Sequence, residues 1–558
     1  LLSEAIKSRK KLRRFFTRTL RKKYRLERAP GKAIIYPIEF PHLYFGTPEK
    51  GFDGIIGNPP WENIKPIKKE FASHYPEIFG EITKFSIEGK EFKKLFEKKL
   101  ENEKIKELWK EYQEEIRKFS EYLKKTFVLR GKGDLSYQKL FIELALMLTK
   151  KALILLVPSN FHTDEGAKEL REEILRNWNL KELLSFENRS HRWFKDVDSR
   201  FKFDIVFADK EKLSETFNAR FYIRKWEDVD KKFQYPAKLI SEISPRAKTI
   251  TEFLSPSHIP LIEKIRGDHT LLYELGIELT SEFHMTNDNY LFRTRKKKGC
   301  LPLFEGKTIY QFNSKFSNSR YYLNEREGRE RLIERKLNGE IKRLVKGLID
   351  FLGLRGKEAK EFREELLQIC KARFESKKWK LDYEAERFSY RAIARSTDER
   401  TLIGAVIPEK VFCGNSLIVL KQIYFEIDYD SQDIIQTTLD EKMGFDFNYY
   451  ICALFNSFVL DYYIRQRVSA NLNMFFVEEL PIPVAEEDLR KKIVFLSKKI
   501  QKLTEKGDEE SRTLRAELES LIATKLFDLD RKDMEKILST FVYGNVDKEL
   551  KKMILERL

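Results

Sequence analysis

FDGIIGNPPW, residues 52–61, places a short apolar run directly before an Asn-Pro-Pro-Trp turn. Such a run is typical of the end of a buried strand. Pro59 removes a backbone donor and holds Asn58 out of the helical region, so the chain must turn there. Open α/β sheets bind ligands beyond the carboxyl ends of their strands. The pattern therefore predicts that Asn58, Pro59, Pro60 and Trp61 face one crevice and form a candidate active site.

An Asn-Pro-Pro sequence can also form an ordinary rigid turn without chemistry. The apolar strand before the turn and the aromatic residue after it favour the active-site interpretation over the plain turn.

The net charge of the sequence favours a partner that carries negative charge. The 558 residues have a formal net charge of +18 and a sequence pI near 9.3, which suits a polyanion. Acidic residues are also abundant, and this weakens the inference.

The four cysteines are far apart, so we expect no zinc site, no disulfide framework and a cytoplasmic location. The sequence shows neither a signal peptide nor an apolar run of about 18 residues, so we expect no membrane span.

The first 250 residues alternate between strand and helix patterns. Residues 4–27 are densely basic with helical spacing, which predicts either a solvated helix or one that faces phosphates. The segment of about 70–128 predicts a charged helical insertion. Further elements are predicted as strand character at 33–45, a helix at 134–150, a strand at 152–160, a helix from Asp164, and strands at 180–188, 201–209 and 220–226. This alternation predicts an α/β fold with one doubly wound, Rossmann-like sheet.

Two further domains are predicted after residue 250. Residues 251–485 mix helices with short strand patterns such as YELGIEL (273–279), KTIYQF (307–312) and LIGAVIP (402–408), which indicates a mixed α/β domain. Residues 486–558 have helical patterns throughout and predict a helical C-terminal segment.

The Asn58-Pro-Pro-Trp61 turn resembles the catalytic motif of amino-methyltransferases that act on DNA. In that family the Asn side-chain oxygen and the carbonyl of the first proline accept the amino hydrogens of the target base. The aromatic residue stacks on the base once it is flipped out of the duplex. The resemblance implies these roles for Asn58, Pro59 and Trp61.

Further segments resemble type IIG restriction-modification enzymes, which join an adenine N6 DNA methyltransferase to a target-recognition domain. The matching segments keep the family's order, at 38–73, 133–172, 186–203, 281–292, 302–312, 393–408 and 456–483. The resemblance implies a methyltransferase sheet, S-adenosylmethionine as methyl donor and double-stranded DNA as partner. It also implies that Phe194, or as second choice Phe201, lies against the other face of the flipped base. A phenylalanine that packs a strand is the plain alternative.

Three polar groups in the recognition domain are candidates for DNA contact. Arg395, Thr397, Asp398, Glu399 and Arg400 form one group, and Arg467, Asn471 and Asn473 form another. Arg and Asn can read base edges, although such groups also fix loops or contact phosphates. Arg295, Lys296, Lys297 and Lys298 suit phosphate contacts, or a solvated charge run.

The sequence departs from the family before the catalytic motif. The glycine-rich loop of the form Asp-Pro-x-x-Gly-x-Gly, which holds S-adenosylmethionine in the family, has no counterpart there. Gly131 and Gly133 follow the motif without a preceding strand, so we assign them no cofactor role. We therefore expect the chain to begin partway through the methyltransferase domain, and a missing segment or a second polypeptide to complete the cofactor site.

Two alternatives to a type IIG enzyme remain open from the sequence. One is a non-catalytic DNA-binding or specificity protein that lacks the cofactor-binding half. The other is a methylase that serves a phage-defence system without its own nuclease.

Overall fold

The protein is described here by a computed structural model, which covers residues 36–44, 49–80, 90–131, 133–394, 398–468, 471–542 and 547–558. These residues form two compact units that divide between Pro256 and Ser257. The basic segment 4–27 lies outside the described residues, so its predicted helix stays a prediction. The division into domains at 250 and 485 likewise stays a prediction.

The first unit is built on a six-stranded mixed sheet in the order β1-β2-β4-β3-β5-β6. β1 pairs with β2 and β3 with β5 in parallel, and the other three pairs are antiparallel. The strands are β1 (Phe52–Gly57), β2 (Thr149–Pro158), β3 (Asn179–Glu187), β4 (Lys202–Asp209), β5 (Thr216–Ile223) and β6 (Phe233–Pro236).

The helices of the first unit include a charged group between β1 and β2. Phe71, Phe79, Phe96 and Trp109 form the buried core of this group, so its helices pack on one another through aromatic rings. The helices are α1 (Tyr36–Glu39), α2 (Lys68–His74), α3 (Pro76–Phe79), α4 (Lys90–Lys99), α5 (Glu103–Thr126), α6 (Tyr137–Leu148), α7 (Asn160–Thr163), α8 (Lys168–Asn177) and α9 (Lys238–Ile243).

The first unit combines helices and strands, as the sequence patterns predict. Its sheet, however, is not the uniformly parallel sheet that a simple βαβ series would give. β4 lies antiparallel between β2 and β3. Residues 188–201 join β3 to β4 and contain only one turn of 3₁₀ helix. A parallel neighbour needs a crossover, usually through an α-helix, and this connection, which has no α-helix, returns the chain antiparallel.

The strand character predicted at 33–45 is wrong where the structure describes it. Residues Tyr36–Glu39 form α1, and residues Pro41–Leu43 form a 3₁₀ turn. Proline fixes φ near the helical value and is favoured in the first turn of a helix. The two prolines that interrupt the apolar run therefore mark turns of helix rather than breaks in a strand.

The second unit contains three small sheets. They have the orders β11-β10-β13-β7, β12-β8-β9 and β14-β15. The strands are β7 (Leu279–Thr280), β8 (Cys300–Phe304), β9 (Tyr321–Asn324), β10 (Arg387–Arg391), β11 (Gly404–Ile407), β12 (Phe412–Cys413), β13 (Leu417–Leu420), β14 (Ile423–Asp428) and β15 (Asp433–Thr438).

Helices cover these sheets and continue to the end of the second unit. They are α10 (Ile259–Arg266), α11 (Glu325–Lys336), α12 (Lys342–Phe351), α13 (Gly356–Glu375), α14 (Leu439–Met443), α15 (Phe447–Phe455), α16 (Phe458–Arg465), α17 (Met474–Glu478), α18 (Glu487–Thr504), α19 (Glu510–Leu521), α20 (Arg531–Ser539) and α21 (Lys548–Leu555). Across all the ranges described, no helix is both long enough and apolar enough to cross a bilayer.

Two strand predictions in the second unit are corrected by the structure. YELGIEL gives a 3₁₀ turn at Leu272–Leu275, and KTIYQF begins within another at Gly306–Thr308. Gly276 follows the first turn in the left-handed region at φ 67° and reverses the local chain direction, so only Leu279, the last residue of the pattern, belongs to a strand, β7.

Candidate active site

The candidate site lies at one end of the sheet of the first unit, where several strands meet. β1 and β2 run parallel, so Asn58, directly after β1, lies beside the last residues of β2. β4 begins at this same end, because Phe203 pairs with Pro158. The segment 188–201 joins β3 to β4 and therefore crosses the same end. This is the position at which α/β sheets place their ligands.

A hydrogen bond joins the first and last residues of the Asn-Pro-Pro-Trp turn. Nε1 of Trp61 donates to Oδ1 of Asn58 at 3.1 Å. Asn58 and Pro60 are exposed, Pro59 is buried and Trp61 is half-buried. An amide oxygen can accept two hydrogen bonds, so Oδ1 keeps the capacity to accept a second one. The turn thus presents an acceptor whose direction is set by the neighbouring ring.

Trp61 lies at the edge of a cluster of aromatic rings. Its ring stacks on buried Phe203 with centroids 6.3 Å apart, and Phe203 stacks on Phe186 at 5.1 Å. Phe194 meets Trp61 at 5.5 Å with an interplanar angle of 74°. This is direct edge-to-face contact, so no gap for a base separates the two rings. The structure brings Phe194 to Trp61, whereas Phe201 is 50% exposed.

Asn188, to which the sequence assigned no role, fixes the segment that carries Phe194. Its fully buried side chain accepts hydrogen bonds at Oδ1 from the backbone N–H groups of Trp193 (3.1 Å) and Phe194 (2.9 Å). Its Nδ2 donates to the carbonyl oxygens of Phe194 (2.9 Å) and Val197 (3.0 Å). An Asn directly after a strand often bonds to nearby backbone in this way, and that signal was present in the sequence.

The chain after Trp61 is anchored to the residues that precede α6. The backbone N–H of Ile64 donates to the carbonyl of Leu135 at 2.7 Å. Nδ2 of Asn63 donates to Oδ2 of Asp134 at 3.0 Å. The turn is therefore held on its amino side by β1 and on its carboxyl side by these two bonds.

A buried histidine lies between two carboxylates close to the end of β2. Nδ1 of His162 is 2.5 Å from Oδ2 of Asp204, and Nε2 is 3.2 Å from Oε1 of Glu252. Burial by itself lowers the pKa of His162, but the charges and hydrogen bonds of Asp204 and Glu252 raise it to about 9. Burial raises the pKa of Glu252, yet the nearby Lys202 and His162 hold it well below its usual range. The network joins His162 of α7 and Asp204 of β4 to Glu252, which lies near the C-terminal end of the first unit.

The exposed candidates for DNA contact lie in two turns of the second unit. Arg295, Lys296, Lys297 and Lys298 are all exposed in the turn that leads into β8, and Asn471 and Asn473 are exposed just before α17. Arg395 and Thr397 lie outside the described residues, so their contacts stay predictions.

Arg400 and Arg467 are placed in the interior of the second unit. Arg400 is 3% exposed, and it donates to Asp461 Oδ2 at 2.6 Å and to the carbonyl of Asn456 at 2.7 Å. Arg467 is 4% exposed and forms an ion pair with buried Glu479. These contacts favour the scaffold interpretation of the two arginines over direct contact with DNA.

The described residues give no glycine-rich loop ahead of β1, and no described strand pairs with the outer edge of β1. Gly131 has a packing role, because a Cβ there would lie 2.1 Å from the carbonyl oxygen of Gly166. Its φ of +68° also favours glycine.

A comparison with protein families gives a match within the first unit. Residues 111–194 match the model described as the Eco57I restriction-modification methylase. The matched segment contains α6, β2, α8 and β3 and ends at Phe194, while the Asn58–Trp61 turn lies outside it. No curated protein matches the sequence.

Several solved structures are similar to this chain. The type IIL restriction-modification enzyme MmeI, solved in complex with DNA, is 10% identical with a TM-score of 0.40, and the match covers 88% of this chain and 56% of MmeI. The type IIG restriction endonuclease BpuSI is 13% identical with a TM-score of 0.27, over 79% of this chain and 52% of BpuSI. DrdV, in a complex with DNA, is 10% identical with a TM-score of 0.33, over 81% of this chain and 44% of DrdV. The chain thus spans about half the length of these proteins or less. Over residues 111–194 it carries the sequence pattern of a restriction-modification methylase.

Proposed function

We propose that this protein forms part of a site-specific DNA methyltransferase that transfers a methyl group from S-adenosylmethionine to N6 of adenine, in a restriction-modification or phage-defence system. The main support is the Asn58–Trp61 hydrogen bond, which fixes an acceptor beside an aromatic ring at the carboxyl end of β1. The methylase match over 111–194 supports methyl transfer as the reaction.

The chemistry of adenine explains the need for acceptors at this turn. The lone pair of the exocyclic nitrogen is delocalised into the ring, so N6 is a weak nucleophile. Oδ1 of Asn58 and the carbonyl oxygen of Pro59 would accept the two N6 hydrogens and favour the form in which the lone pair can attack. Because Trp61 already occupies one lone pair of Oδ1, the adenine would use the other.

The aromatic cluster would receive the face of the flipped base. Trp61 is packed on Phe203 and is half-buried, which leaves part of its ring accessible for stacking. Phe194 contacts Trp61 edge to face, so a base stacked on Trp61 would meet the edge of Phe194 or displace it. We therefore propose Trp61 as the stacking residue and Phe194 as a wall of the same pocket.

S-adenosylmethionine, when bound, supplies the methyl group. Asn58, Pro59 and Trp61 would bind and orient the adenine rather than the donor. The outer edge of β1 has no paired strand among the described residues. We propose that the donor is held beyond this edge, by residues outside those described or by a second polypeptide.

The second unit would select the DNA site. We propose that the exposed Arg295, Lys296, Lys297 and Lys298 contact phosphates, and that exposed Asn471 and Asn473 reach base edges, together with Arg395 and Thr397.

The test is methyl transfer to duplex DNA with radiolabelled S-adenosylmethionine, followed by digestion and separation of the nucleosides. We expect label on N6-methyladenine, and Asn58→Ala should lower the rate by about 100-fold or more, because one acceptor of the transition state is lost. DNA affinity should change little. Asn177→Ala, at an exposed position of α8, is the matched control.

Label on cytosine would overturn the proposed base. DNA binding without any label would favour the alternative of a DNA-binding protein that has no transferase activity.

A further inference from the structure

An exposed phenylalanine projects from an ordered loop of the second unit. Residues 313–320, NSKFSNSR, contain two cations and no acidic residue. Phe316 is 53% exposed, and its ring stacks on Tyr310 with centroids 5.0 Å apart and an interplanar angle of 26°. A large apolar ring in a short polar loop suggests a contact surface, because the loop gains no core from it.

The loop is held by hydrogen bonds on both sides of Phe316. The backbone N–H and the hydroxyl of Ser314 both donate to Oε1 of Glu505, at 3.0 and 2.6 Å. The hydroxyl of Ser317 donates to the carbonyl of Lys307 at 2.8 Å. These bonds present the ring of Phe316 to solvent in a defined orientation, so a ligand would meet a prepared surface.

A guanidinium group completes the aromatic stack. Arg391 lies 5.3 Å from the ring centre of Tyr310 and 5.8 Å from that of Phe316. Its Nε and Nη2 donate to the carbonyl of Ile309 at 3.1 and 2.6 Å, which holds the charge against the rings. The cation therefore stays beside the exposed phenylalanine.

The two residues after Arg391 connect this stack to the asparagines that the sequence analysis selected. The carbonyl of Ala392 accepts a hydrogen bond from the backbone N–H of Leu472 at 2.9 Å. Asn471 and Asn473 flank Leu472 and are exposed, and the side chain of Ile393 is 66% exposed. We call the six residues Tyr310, Phe316, Arg391, Ile393, Asn471 and Asn473 the Phe316 surface.

The chemistry of this surface fits the base pairs of a DNA duplex. Amide side chains can pair with base edges, and exposed apolar side chains can stack on bases or enter between base steps. Another exposed aromatic pair of the same unit, Phe351 and Tyr429, lacks this setting. Asp350 and Asp430 adjoin it in sequence, and carboxylates would repel phosphates. Beside the Phe316 surface, the carboxylate of Glu505 is paired with Lys315 and accepts hydrogen bonds from Ser314.

We propose that the Phe316 surface contacts duplex DNA, with Phe316 and Ile393 meeting bases or sugars while Asn471 and Asn473 face base edges. Arg391 acts as a positioning residue that supports Phe316. This inference rests on the proposed function and adds Phe316 and Ile393 to the residues of the second unit that contact DNA.

The experiment measures binding of the full chain to fluorescein-labelled duplexes of mixed sequence by anisotropy. We expect Phe316→Ala to weaken binding by about 10-fold, the order expected for one stacked base. The salt dependence of binding should stay unchanged, because no charge is removed. Phe351→Ala removes an equally exposed ring and should leave the affinity within about twofold of the unmodified protein. Equal affinities of the two variants would overturn the proposal.

A second measurement is independent of the folding of the alanine variant. A photoreactive benzophenone side chain at position 316 should form a covalent cross-link to the duplex under ultraviolet light, and the same side chain at position 351 should not. Absence of a cross-link from position 316 would overturn the proposal.

These outcomes are separable from a failure of the proposed function. If the protein binds DNA but transfers no methyl group, the comparison of Phe316→Ala with Phe351→Ala still tests the surface. If it methylates adenine and Phe316→Ala binds as tightly as the control, only the proposal for the surface fails.

Discussion

Asn188 illustrates how one buried side chain can shape the candidate site through the backbone that surrounds it. Its four hydrogen bonds hold a segment in which Ser190 and His191 adopt left-handed φ values of 56° and 53°. Non-glycine residues in this region are strained and persist only when the surroundings determine them. The contact of Phe194 with Trp61 therefore depends on Asn188.

We expect Asn188→Asp to loosen this segment. The carboxylate would replace the Nδ2 donor and face the carbonyl oxygens of Phe194 and Val197, which should lower the free energy of unfolding by about 1–3 kcal/mol. Limited proteolysis between residues 188 and 201 should become faster, and methyl transfer should fall. Asn177→Asp makes the same chemical change at an exposed site. If both variants resist the protease as the unmodified protein does, Asn188 does not hold the segment.

At the scale of single residues, the sequence predicted the Asn58–Trp61 turn but not the side chains that pack against it. Asn58 and Trp61 were predictable as neighbours because two prolines between them leave the backbone few conformations. Trp61 and Phe203 are far apart in the chain, so their stacking depends on strand pairing that no local pattern encodes. The interior position of Arg400 was also not predictable from local sequence, because its partner Asp461 lies far along the chain, on α16.

At the scale of elements, the His162 network joins α7 to β4 through opposite charges in the interior. The raised pKa of His162, about 9 against an ordinary value of 6.5, means that the folded protein binds the proton more tightly than the unfolded chain does. This stabilisation is fully present below about pH 6.5 and is lost as the pH rises through about 9.

We expect His162→Gln to reduce this pH dependence. The unmodified protein should lose protection of β4 amides between pH 6.5 and pH 9, as measured by hydrogen exchange corrected for the intrinsic effect of pH. The variant should be less protected at pH 6.5, because Asp204 and Glu252 both lose the charge of His162, although Glu252 keeps Lys202, and it should change less with pH. An equal change in both proteins would contradict the assignment of the titration to His162.

Strands that are buried and continuous were predictable, whereas strand direction was not. β2 follows from the apolar run at 152–157, and β3 from a stretch of strand length in which Leu180, Leu183, Leu184 and Phe186 are interspersed with polar residues. The antiparallel direction of β4 depends on the connection before it, where Asn188 and a 3₁₀ turn replace the helix of a βαβ unit. The apolar pattern at 273–279 predicted a strand where a 3₁₀ turn forms, because periodicity over so few residues fits either structure.

At the scale of the molecule, β1 lies at the margin of the first sheet and carries the Asn58–Trp61 turn at its end. Among the described residues its only strand neighbour is β2, and Ile56 on β1 is 82% exposed. Exposed apolar edge strands promote pairing between chains.

We expect Ile56→Lys to reduce self-association of the protein, because a charge on an edge strand opposes intermolecular pairing. Light scattering over a range of protein concentrations would measure the effect. Phe495→Lys adds the same charge at a 64% exposed position of α18 in the second unit and should change the scattering less. Equal scattering by the two variants would show that the edge of β1 is not the source of association.

The hydrogen bond from the Trp61 indole to Asn58 has an optical consequence. The emission of an indole depends on the partner of its N–H group and on rings stacked against it. A purine that enters the pocket would change both for Trp61, one of the six tryptophans of the chain. In the proposed reaction, the side chain that orients the acceptor would thus also be an intrinsic fluorescent reporter of base entry, and it would time that event separately from the transfer of the methyl group.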